Sequence, residues 1–333
     1  MDDLIITRLA GSAEPSIRYI LKKEYFEVDL SLPEMIALRE EIRTSERVCT
    51  MLADRQADGS LPVHAYSKWK GAFWTLLQLV DLGYPENDPS LIPLREQIYT
   101  WLFDPARLKA IPQINGRWRR CALQEGGAVL LLVRLGLADE RVPQLVELLL
   151  KWQWEDGGWN CDKDPSAHHS SFNESLIPLR GLNAYARVSG DPLVKAAVER
   201  TTELLLAHRL YKHHDRDAIL TPKFTELAFP PYWHYDFLSG LVAMQEVGAL
   251  QDPRCADALD LLESMRLPDG GIAAQRSYYR VSKRNAAGVS AVTWGGVSQT
   301  QSNDWLTVRS LGILRQAGRI SLPVRSQWSR YPQ

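Results

Sequence analysis

The sequence predicts an all-α fold built from repeated helical hairpins. Three observations lead to this prediction: a recurring loop signal rich in glutamine, glycine and tryptophan, apolar helix-length runs that end in glycine, and Asp-Pro breakers before amphipathic runs. The clearest loop is Gln153-Trp-Glu-Asp-Gly-Gly-Trp159, which follows the apolar run 148–150. A signal that recurs over hundreds of residues is typical of a repeat protein.

The loop signal occurs in copies of decreasing quality. Gln113-Ile-Asn-Gly-Arg-Trp118 repeats it with a shorter spacing, Gln56-Ala-Asp-Gly-Ser-Leu61 is weaker, and Arg266-Leu-Pro-Asp-Gly-Gly-Ile272 is degenerate. A further copy is expected near 208–217, where the signal is missing. The copies mark the places where an amphipathic helix passes into an apolar one.

The helical segments alternate between these two kinds. Apolar stretches end in a glycine that suits a left-handed C-cap, and the proline that follows suits the first turn of the next helix. The amphipathic helices are predicted over 33–53, 91–103, 142–152, 193–208 and 253–265. The apolar helices are predicted to begin near Ser67, Arg119, Ser170, Tyr232 and Ser302.

The apolar helices carry very few charges. The segment Gly126–Gly136 contains one charged residue, Arg134. Helices that are apolar on most faces are buried by neighbours on both sides. Alternating helices of this kind predict an α/α toroid of about five to six hairpins, with an N-terminal helix near 15–23. The whole chain, 1–333, is expected to be one toroid domain, with a long insertion at about 271–299 and a loosely held tail at about 323–333.

Composition and charge exclude several classes of function. The 333 residues carry a formal net charge of −1, which gives no electrostatic footprint for nucleic acid. No apolar run of about 18 residues predicts a transmembrane segment, and the start Met1–Ile6 lacks the features of a signal peptide. Four scattered cysteines form no Cys-x-x-Cys pair, so the sequence predicts a cytoplasmic protein with reduced thiols.

The pattern Gln153-x-x-x-Gly157-x-Trp159 resembles the QW repeat of squalene and oxidosqualene cyclases, and it is also similar to the Gly-rich repeats of prenyltransferase β subunits. The resemblance extends over roughly 50–320. It implies a toroid that handles an isoprenoid or other apolar ligand in a central aromatic-lined cavity. It also implies a structural role for Gln153 and Trp159, with the glutamine bonding backbone groups at the start of the next helix. The Asp-x-Asp-Asp acid motif of the squalene-type cyclases is absent, so squalene cyclisation itself is not expected.

The first turns of the apolar helices form the candidate site, since the loops that enter them converge at one end of a toroid. Glu174 and Asp236 are the candidate catalytic residues, because a desolvated carboxyl group with a raised pKa can donate a proton. Aromatic neighbours could stabilise a carbocation. The alternative is that these carboxylates only stabilise helix N-termini. The candidate ligand-binding residues are Trp69, Trp74, Glu125, His169, Phe172, Asn173, Trp233, His234, Tyr235, Asp304 and Trp305.

A second cluster contains metal-ligand residue types. Prenyltransferase β subunits hold zinc through an Asp, a Cys and a His, and the resemblance makes zinc the candidate cofactor at Cys161, Asp162 and His168. The spacing differs from that family's, so no residue is carried over directly. The alternative is that Cys161 is a small buried hydrophobic residue and the protein has no cofactor.

A basic segment, 208–216, replaces the missing loop copy. A solvated loop is the expected structure. The alternative is diphosphate binding by this segment, because arginine side chains suit phosphate oxygens. The insertion would contribute further basic residues to such a site: Arg276, Arg280, Lys283 and Arg284.

Three functions remain open. The first is a terpene-cyclase-like or prenyltransferase-like protein with an isoprenoid-like ligand, and the second is a non-catalytic lipid-binding or scaffold toroid. The third is a saccharide-active hydrolase or lyase with paired carboxylates. A deep aromatic cavity favours the first, a cavity plugged by Trp and Arg side chains the second, and an open groove with two carboxylates the third. The candidates for that pair are Glu125, Glu174, Asp236 and Asp304.

Overall fold

The structure is a computed structural model that describes residues 2–282 and 286–321. Most of this range is helical, and no helix in it is long and apolar enough to cross a membrane. The expected tail at 323–333, together with Lys283 and Arg284, lies outside the described residues. In chain order the helices are α1 (Asp2–Ala10), α2 (Pro15–Ile20), α3 (Pro33–Thr44), α4 (Glu46–Leu52), α5 (Ala72–Leu82), α6 (Ile92–Leu102), α7 (Pro105–Lys109), α8 (Leu123–Arg134), α9 (Val142–Trp152), α10 (Phe172–Ser189), α11 (Pro192–Ala207), α12 (Phe237–Val247), α13 (Ala256–Ser264) and α14 (Asp304–Gln316).

Within the described ranges, six helices form an inner ring: α2, α5, α8, α10, α12 and α14. Each packs on the next, and α14 packs on α2 and on the π-helical turn Leu21–Tyr25 that continues it. Gln316 at the end of α14 donates a hydrogen bond to the Glu24 carbonyl oxygen at 3.1 Å. The ring is therefore closed, and the predicted α/α toroid is confirmed.

The outer ring of the described fold consists of α1, the pair α3–α4, α6, α9, α11 and α13. The sequence predicts the N-terminal helix near 15–23 without an outer partner. The structure supplies that partner, because α1 packs against α2. The described chain thus forms six hairpins, the upper of the two numbers expected.

The predicted stop and start signals define the helix ends. Gly83, Gly190 and Gly248 follow α5, α10 and α12 with φ values of 81°, 71° and 80°, a left-handed conformation that glycine adopts without steric cost. Asp191 then caps α11, because its side chain accepts a hydrogen bond from the Leu193 N–H at 2.8 Å. Local signals alone therefore end one helix and start the next.

Some helix boundaries differ from the prediction. The helix predicted over 33–53 is divided at Ser45, whose extended backbone ends α3 and whose side chain caps α4 by accepting from the Val48 N–H. The inner helices begin later than predicted, for example at Phe237 instead of Tyr232. The residues in between belong to the loops at the end of the ring.

Helices α8 and α10 touch through their backbones. A Cβ atom at Gly126 of α8 would lie 2.5 Å from the Pro178 Cα atom of α10, a separation that real Cβ atoms do not reach. Gly181, three residues further along α10, has the carbonyl group of Gly126 as its neighbour. This glycine contact sets the separation of the two helices whose N-terminal ends supply candidate site residues.

The recurring loop has a common geometry. The side chains of Gln153, His208 and Arg266 each contact the carbonyl oxygen four residues later, at 2.9, 3.0 and 3.2 Å. The segment 208–217 therefore contains the same closure as the copies at Gln153 and Arg266, with histidine in place of glutamine or arginine, whereas Gln113 contacts the carbonyl oxygen three residues later. The sequence signal is missing there because unlike side chains make the same contact.

Gln153 and Trp159 have structural contacts, as the resemblance implies. The Gln153 side chain donates to the Ala197 carbonyl oxygen at 3.0 Å, and Trp159 Nε1 donates to the Leu149 carbonyl oxygen at 3.0 Å. Ala197 lies in α11 and Leu149 in α9. The expected partner of the glutamine was wrong: it bonds the next outer helix, not the start of the next inner helix.

The described residues of the segment at 271–299 pack on one end of the ring. The Trp69 N–H, in the loop before α5, donates to the Val289 carbonyl oxygen at 3.1 Å, and Trp294 is fully buried. The short strands of the described fold are the antiparallel pair β1 (Gln113–Ile114) and β2 (Arg117–Trp118) and the parallel pair β3 (Arg280–Val281) and β4 (Val289–Ser290).

Candidate active site

The loops that lead into the inner helices meet at one end of the ring, which we call the mouth. Backbone and side-chain hydrogen bonds join neighbouring loops there. The Arg120 N–H donates to the Asn160 carbonyl oxygen at 3.2 Å, and the Tyr235 N–H donates to Asn173 Oδ1 at 2.8 Å. The convergence expected from the sequence is therefore present.

Cys121, Cys161 and Glu174 lie together at the mouth, and we call them the thiol–carboxylate cluster. Their Sγ and carboxylate oxygen atoms lie within 4.8 Å of one another. The Cys161 thiol donates a hydrogen bond to Glu174 Oε1 at 3.4 Å. Among the described residues, this is the one group of three metal-ligand side chains at such short separations.

Backbone pairing brings the two cysteines together. Arg119 and Asn160 form a parallel β-bridge, and one cysteine follows each of these segments. Glu174 comes from a third segment, the first turn of α10, and its Oε2 atom accepts from the Leu123 N–H of α8 at 3.5 Å. The cluster therefore depends on contacts between residues that are distant in sequence.

The three groups influence one another's protonation. Hydrogen bonding with Cys161 lowers the pKa of Cys121 to about 7, and the nearby Arg120 guanidinium acts in the same direction. The same hydrogen bond, followed by burial, raises the pKa of Cys161. Burial, followed by the charge of Cys121, raises the pKa of Glu174 to about 8. Near neutral pH the cluster therefore contains one readily formed thiolate next to a protonated thiol and a protonated carboxyl group.

An aromatic wall stands beside the cluster. Tyr66 lies close enough to Glu174 for that carboxylate to raise the pKa of the phenol, in addition to the larger effect of burial. Its ring contacts those of Phe73, Trp74 and Trp101 at centroid distances of 5.3, 5.3 and 4.9 Å. We call these four rings the aromatic wall.

The aromatic wall also borders an open groove. Trp101 lines this groove of about 790 Å³ together with Val63, His64 and Ala65. Arg107 lies over the Trp101 ring, with its guanidinium carbon 4.8 Å from the ring centroid. The volume falls within the range typical of small-molecule sites, roughly 300–1,000 Å³.

Glu125, a candidate ligand-binding residue, is fully buried beneath the mouth. Arg107 and Arg120 bind its carboxylate at 3.0 and 2.6 Å. Arg120 also donates to Gln124 at 2.7 Å. These contacts show that Glu125 holds two arginines of the mouth in position, and its charge is compensated by them.

The part of the central cavity that lies next to the mouth is small. Its volume is about 60 Å³, which is room for roughly two water molecules. The resemblance implies a deep aromatic cavity, and the walls are indeed largely apolar and aromatic, but side chains fill the space. The lining includes Trp74, Arg180, Phe229, Tyr232, Asp236 and Arg309.

Asp236 fits both interpretations of an acid at a helix start, as a helix cap and as a group with the raised pKa of a proton donor. It caps α12, since its Oδ1 atom accepts from the Ser239 N–H at 2.7 Å. It also lines the central cavity, and burial raises its pKa to about 6. A raised pKa is the property that the sequence argument required of a proton donor.

Stacked rings occupy the mouth next to the central cavity. Trp69 stacks on Tyr232 at a centroid distance of 3.7 Å. Trp233 stacks on His234 at 3.8 Å, and burial lowers the pKa of His234 to about 4. The candidates Trp233 and His234 therefore contact each other, Trp69 contacts Tyr232, and His234 is neutral at pH 7.

His169, Phe172 and Asn173 line a second groove, which is wide and has a volume of about 1040 Å³. The basic segment contributes His208, His213, His214 and Arg216 to the same groove. Acidic side chains line it as well, so it is not a purely cationic site: Glu155, Asp156, Glu203 and Asp215. The structure thus brings these candidates to one surface, apart from the aromatic wall.

Tyr235 is buried, and its hydroxyl group donates to the Leu210 carbonyl oxygen at 2.6 Å.

Asp304 and Trp305 have different surroundings. Asp304 forms an ion pair with Arg8 of α1 at 2.8 Å and is partly exposed. Trp305 is buried and stacks on Phe229 at a centroid distance of 5.3 Å. Asp304 therefore helps to close the ring, and Trp305 belongs to the packed core.

Cys161, Asp162 and His168, the candidate zinc ligands, do not form a compact group. Asp162 and His168 are exposed, and His168 Nδ1 contacts the Ser166 carbonyl oxygen at 2.7 Å. The loop turns both side chains toward solvent, while Cys161 points toward Cys121. Of the three expected ligands, Cys161 lies in the thiol–carboxylate cluster, whereas Asp162 and His168 do not.

Three residues of the cluster and the aromatic wall were not identified from the sequence. Cys121, Tyr66 and Trp101 carry no motif of their own. A signal for Cys121 does exist: a cysteine follows Trp118 and Trp159, the closing tryptophans of two consecutive loop copies, after two residues and one residue respectively. Corresponding positions in adjacent hairpins are neighbours in a toroid, so this recurrence indicates the pair.

Comparisons with known proteins give structural likeness only. No family model and no curated protein matches the chain. A polysaccharide lyase matches with 14% identity and a TM-score of 0.47, covering 95% of this chain and 97% of that one. A glycosyl hydrolase family 88 protein from Bacteroides vulgatus matches with 14% identity and a TM-score of 0.44, covering 96% and 99%. A type II terpene cyclase from Scytonema matches with 14% identity and a TM-score of 0.25, covering 82% and 96%.

Proposed function

We propose that the protein is an enzyme that acts on an isoprenoid-like or other apolar ligand at the mouth, with the thiol–carboxylate cluster as its reaction centre. One observation supports this most strongly: two thiols and a buried carboxyl group converge from three segments beside an aromatic wall. A buried carboxyl group without a cationic partner costs stability. Groups of this kind are concentrated at functional sites.

The proposal assigns the ligand to the groove at the aromatic wall, not to the central cavity. The central cavity of about 60 Å³ is far below the size of a ligand site. The groove next to Trp101 has a suitable volume and an apolar lining on that side. The Cys121 thiolate, the second sulfur atom and the neighbouring ring faces make an electron-rich environment, which suits an electrophilic carbon. This environment suits a transferase in which an acceptor thiol displaces diphosphate from an isoprenyl diphosphate: the C–S bond forms, the C–O bond breaks, and the diphosphate leaves with the electron pair of that bond.

The packing of the central cavity favours one second candidate, a non-catalytic scaffold. Trp74, Arg180, Phe229 and Arg309 leave little free space there, which is the arrangement expected of a toroid that has kept only its fold. In that case the cluster has no reaction to perform, and its variants retain every property of the wild type except local stability.

Turnover by cluster variants tests the proposal. The full-length protein is incubated with isoprenyl diphosphates of increasing chain length and a small thiol acceptor, and products are identified by mass spectrometry. Glu174→Gln and Cys121→Ser should each lower turnover by roughly 100-fold or more, the scale on which reacting groups contribute. The control is Cys49→Ser, since Cys49 is an exposed outer-ring thiol. Equal turnover in wild type and both cluster variants, or no turnover of any isoprenyl donor, would contradict it.

A further inference from the structure

We infer that the thiol–carboxylate cluster is a zinc site, in which Cys121, Cys161 and Glu174 bind one Zn²⁺ and leave a fourth position open toward the mouth. This inference rests on the proposed function, because it names the metal of the same reaction centre. The ligand set differs from the combination that the sequence suggested, and it follows from the positions of the side chains.

One separation in the cluster matches an edge of a zinc tetrahedron, and the other two are short enough to be brought to such edges. With Zn–S bonds of about 2.3 Å and Zn–O bonds of about 2.0 Å, a tetrahedral S···O edge is roughly 3.5 Å and an S···S edge roughly 3.8 Å. The Cys161 Sγ–Glu174 Oε1 distance is 3.4 Å, and all three ligand atoms lie within 4.8 Å. A metal ion therefore fits between them with small side-chain adjustments.

The chemistry of the donors selects the metal. Thiolates favour zinc over magnesium and calcium, which prefer sets made of oxygen alone. Two thiolates and one carboxylate carry a charge of about −3, and Zn²⁺ reduces it to about −1. The Arg120 guanidinium next to Cys121 supplies a compensating positive charge. A divalent cation thus neutralises most of the charge that these three ligands would carry together.

The surroundings provide an outer shell and an open side. Glu174 Oε2 contacts the Leu123 N–H at 3.5 Å, and a carboxylate ligand held by a second hydrogen bond keeps its orientation. Three protein ligands are typical of a catalytic zinc, whose fourth ligand is water or substrate. Both cysteines are only partly buried, so the fourth position remains accessible from the mouth. An acceptor thiol or a water molecule would occupy it.

Metal titration of the purified full-length chain tests the inference. The protein is reduced, stripped with a chelator and titrated with Zn²⁺ alone in competition with a chromophoric chelator. Wild type and Cys49→Ser should bind one Zn²⁺ per chain, and Co²⁺ should produce a thiolate charge-transfer band. Cys121→Ser, Cys161→Ser and Glu174→Gln should each weaken binding by more than the roughly 10–100-fold that loss of an outer-shell partner costs. Thermal melts check that each variant is folded.

The outcomes separate this inference from the proposed function. Less than about 0.2 Zn²⁺ per chain in the reduced wild type, or unchanged affinity in Cys121→Ser, would overturn the zinc site. A Cys121–Cys161 disulfide that re-forms after reduction and blocks Zn²⁺ binding would also overturn it. Turnover tests the proposed function independently. If the wild type binds no zinc but the cluster variants still lose turnover, the proposed function stands and only the zinc site is overturned.

Discussion

Glu174 and Asp236 both lie at the starts of neighbouring inner helices, Glu174 in the first turn of α10 and Asp236 at the N-cap of α12, and their surroundings assign them different chemistry. Glu174 faces two thiols at the mouth, whereas Asp236 caps α12 and faces the central cavity. Neither has an arginine or lysine ion-pair partner among the described residues. The helix start explains why each position favours an acid, and the tertiary neighbours decide what the acid can do.

Asp236 makes stability depend on pH in a predictable direction. Its folded pKa of about 6 lies above the ordinary value of 3.8, so the folded state binds the proton more tightly than the unfolded state. The stabilisation that comes from this proton therefore increases as the pH falls from about 6 toward 4, and it is absent above pH 6. Lowering the pH from 7 to 5 should stabilise the wild type by about 1 kcal/mol relative to Asp236→Asn.

Urea unfolding of both proteins at pH 5 and pH 7 measures this difference. Asparagine keeps an oxygen that accepts from the Ser239 N–H, so the cap is retained and only the ionisation is removed. Titrations elsewhere in the chain cancel between the two proteins. A constant difference in the free energy of unfolding between the two pH values would show that Asp236 is not desolvated in the folded state.

At the residue scale, the sequence predicts acids at inner-helix starts but not the side chains that contact those acids. Glu174 was identifiable because its position follows from the helix boundary. Cys121 and Tyr66 were not, because their contacts depend on the bridge between Arg119 and Asn160 and on packing across the mouth. Pairing between distant segments leaves little trace in local composition.

At the element scale, the loop closures and helix ends follow from short-range physics. Glycine C-caps and aspartate N-caps stand where the sequence predicts them, because each acts within a few residues. The closure at His208 was missed because it uses a different side chain for the same contact. The division of the helix over 33–53 was missed because one capping serine was not recognised.

The contact between α8 and α10 is the element-scale feature most sensitive to a single atom. In Gly126→Ala the new Cβ would approach the Pro178 Cα to 2.5 Å, and the opposing atom is backbone that cannot rotate away. Overpacking of this kind should destabilise the protein by about 1–3 kcal/mol.

Chemical denaturation compares Gly126→Ala with a matched control. Gly296→Ala is suitable, since a Cβ at Gly296 meets no atom within 4 Å and its φ is not in the left-handed region. The control should unfold close to wild type. If both variants unfold at the wild-type midpoint, the two helices do not approach as closely as described.

At the scale of the whole molecule, the repeat predicts the ring but not how the ring is filled. The alternation of apolar and amphipathic helices suffices for the closed toroid of the described chain. It does not predict that Trp74, Arg180 and Arg309 reduce the central cavity to about 60 Å³. How far side chains fill the cavity depends on which residues of the six inner helices lie at the same height in the ring and face one another. Larger spaces lie in a pocket of about 300 Å³ at the end of the ring away from the mouth, lined by charged residues such as Arg134, Arg187 and Glu246, and in grooves beside the loops.

The central claim is that Cys121 and Cys161 meet at the mouth, and thiol cross-linking of the native full-length protein tests it most directly. The reduced protein is treated with a short bifunctional thiol reagent, digested and mapped by mass spectrometry. The structure predicts one intramolecular cross-link joining Cys121 to Cys161, with Cys49 modified singly and Cys255, which is buried, unmodified. Single modification of Cys121 and Cys161 without a cross-linked peptide would contradict the claim.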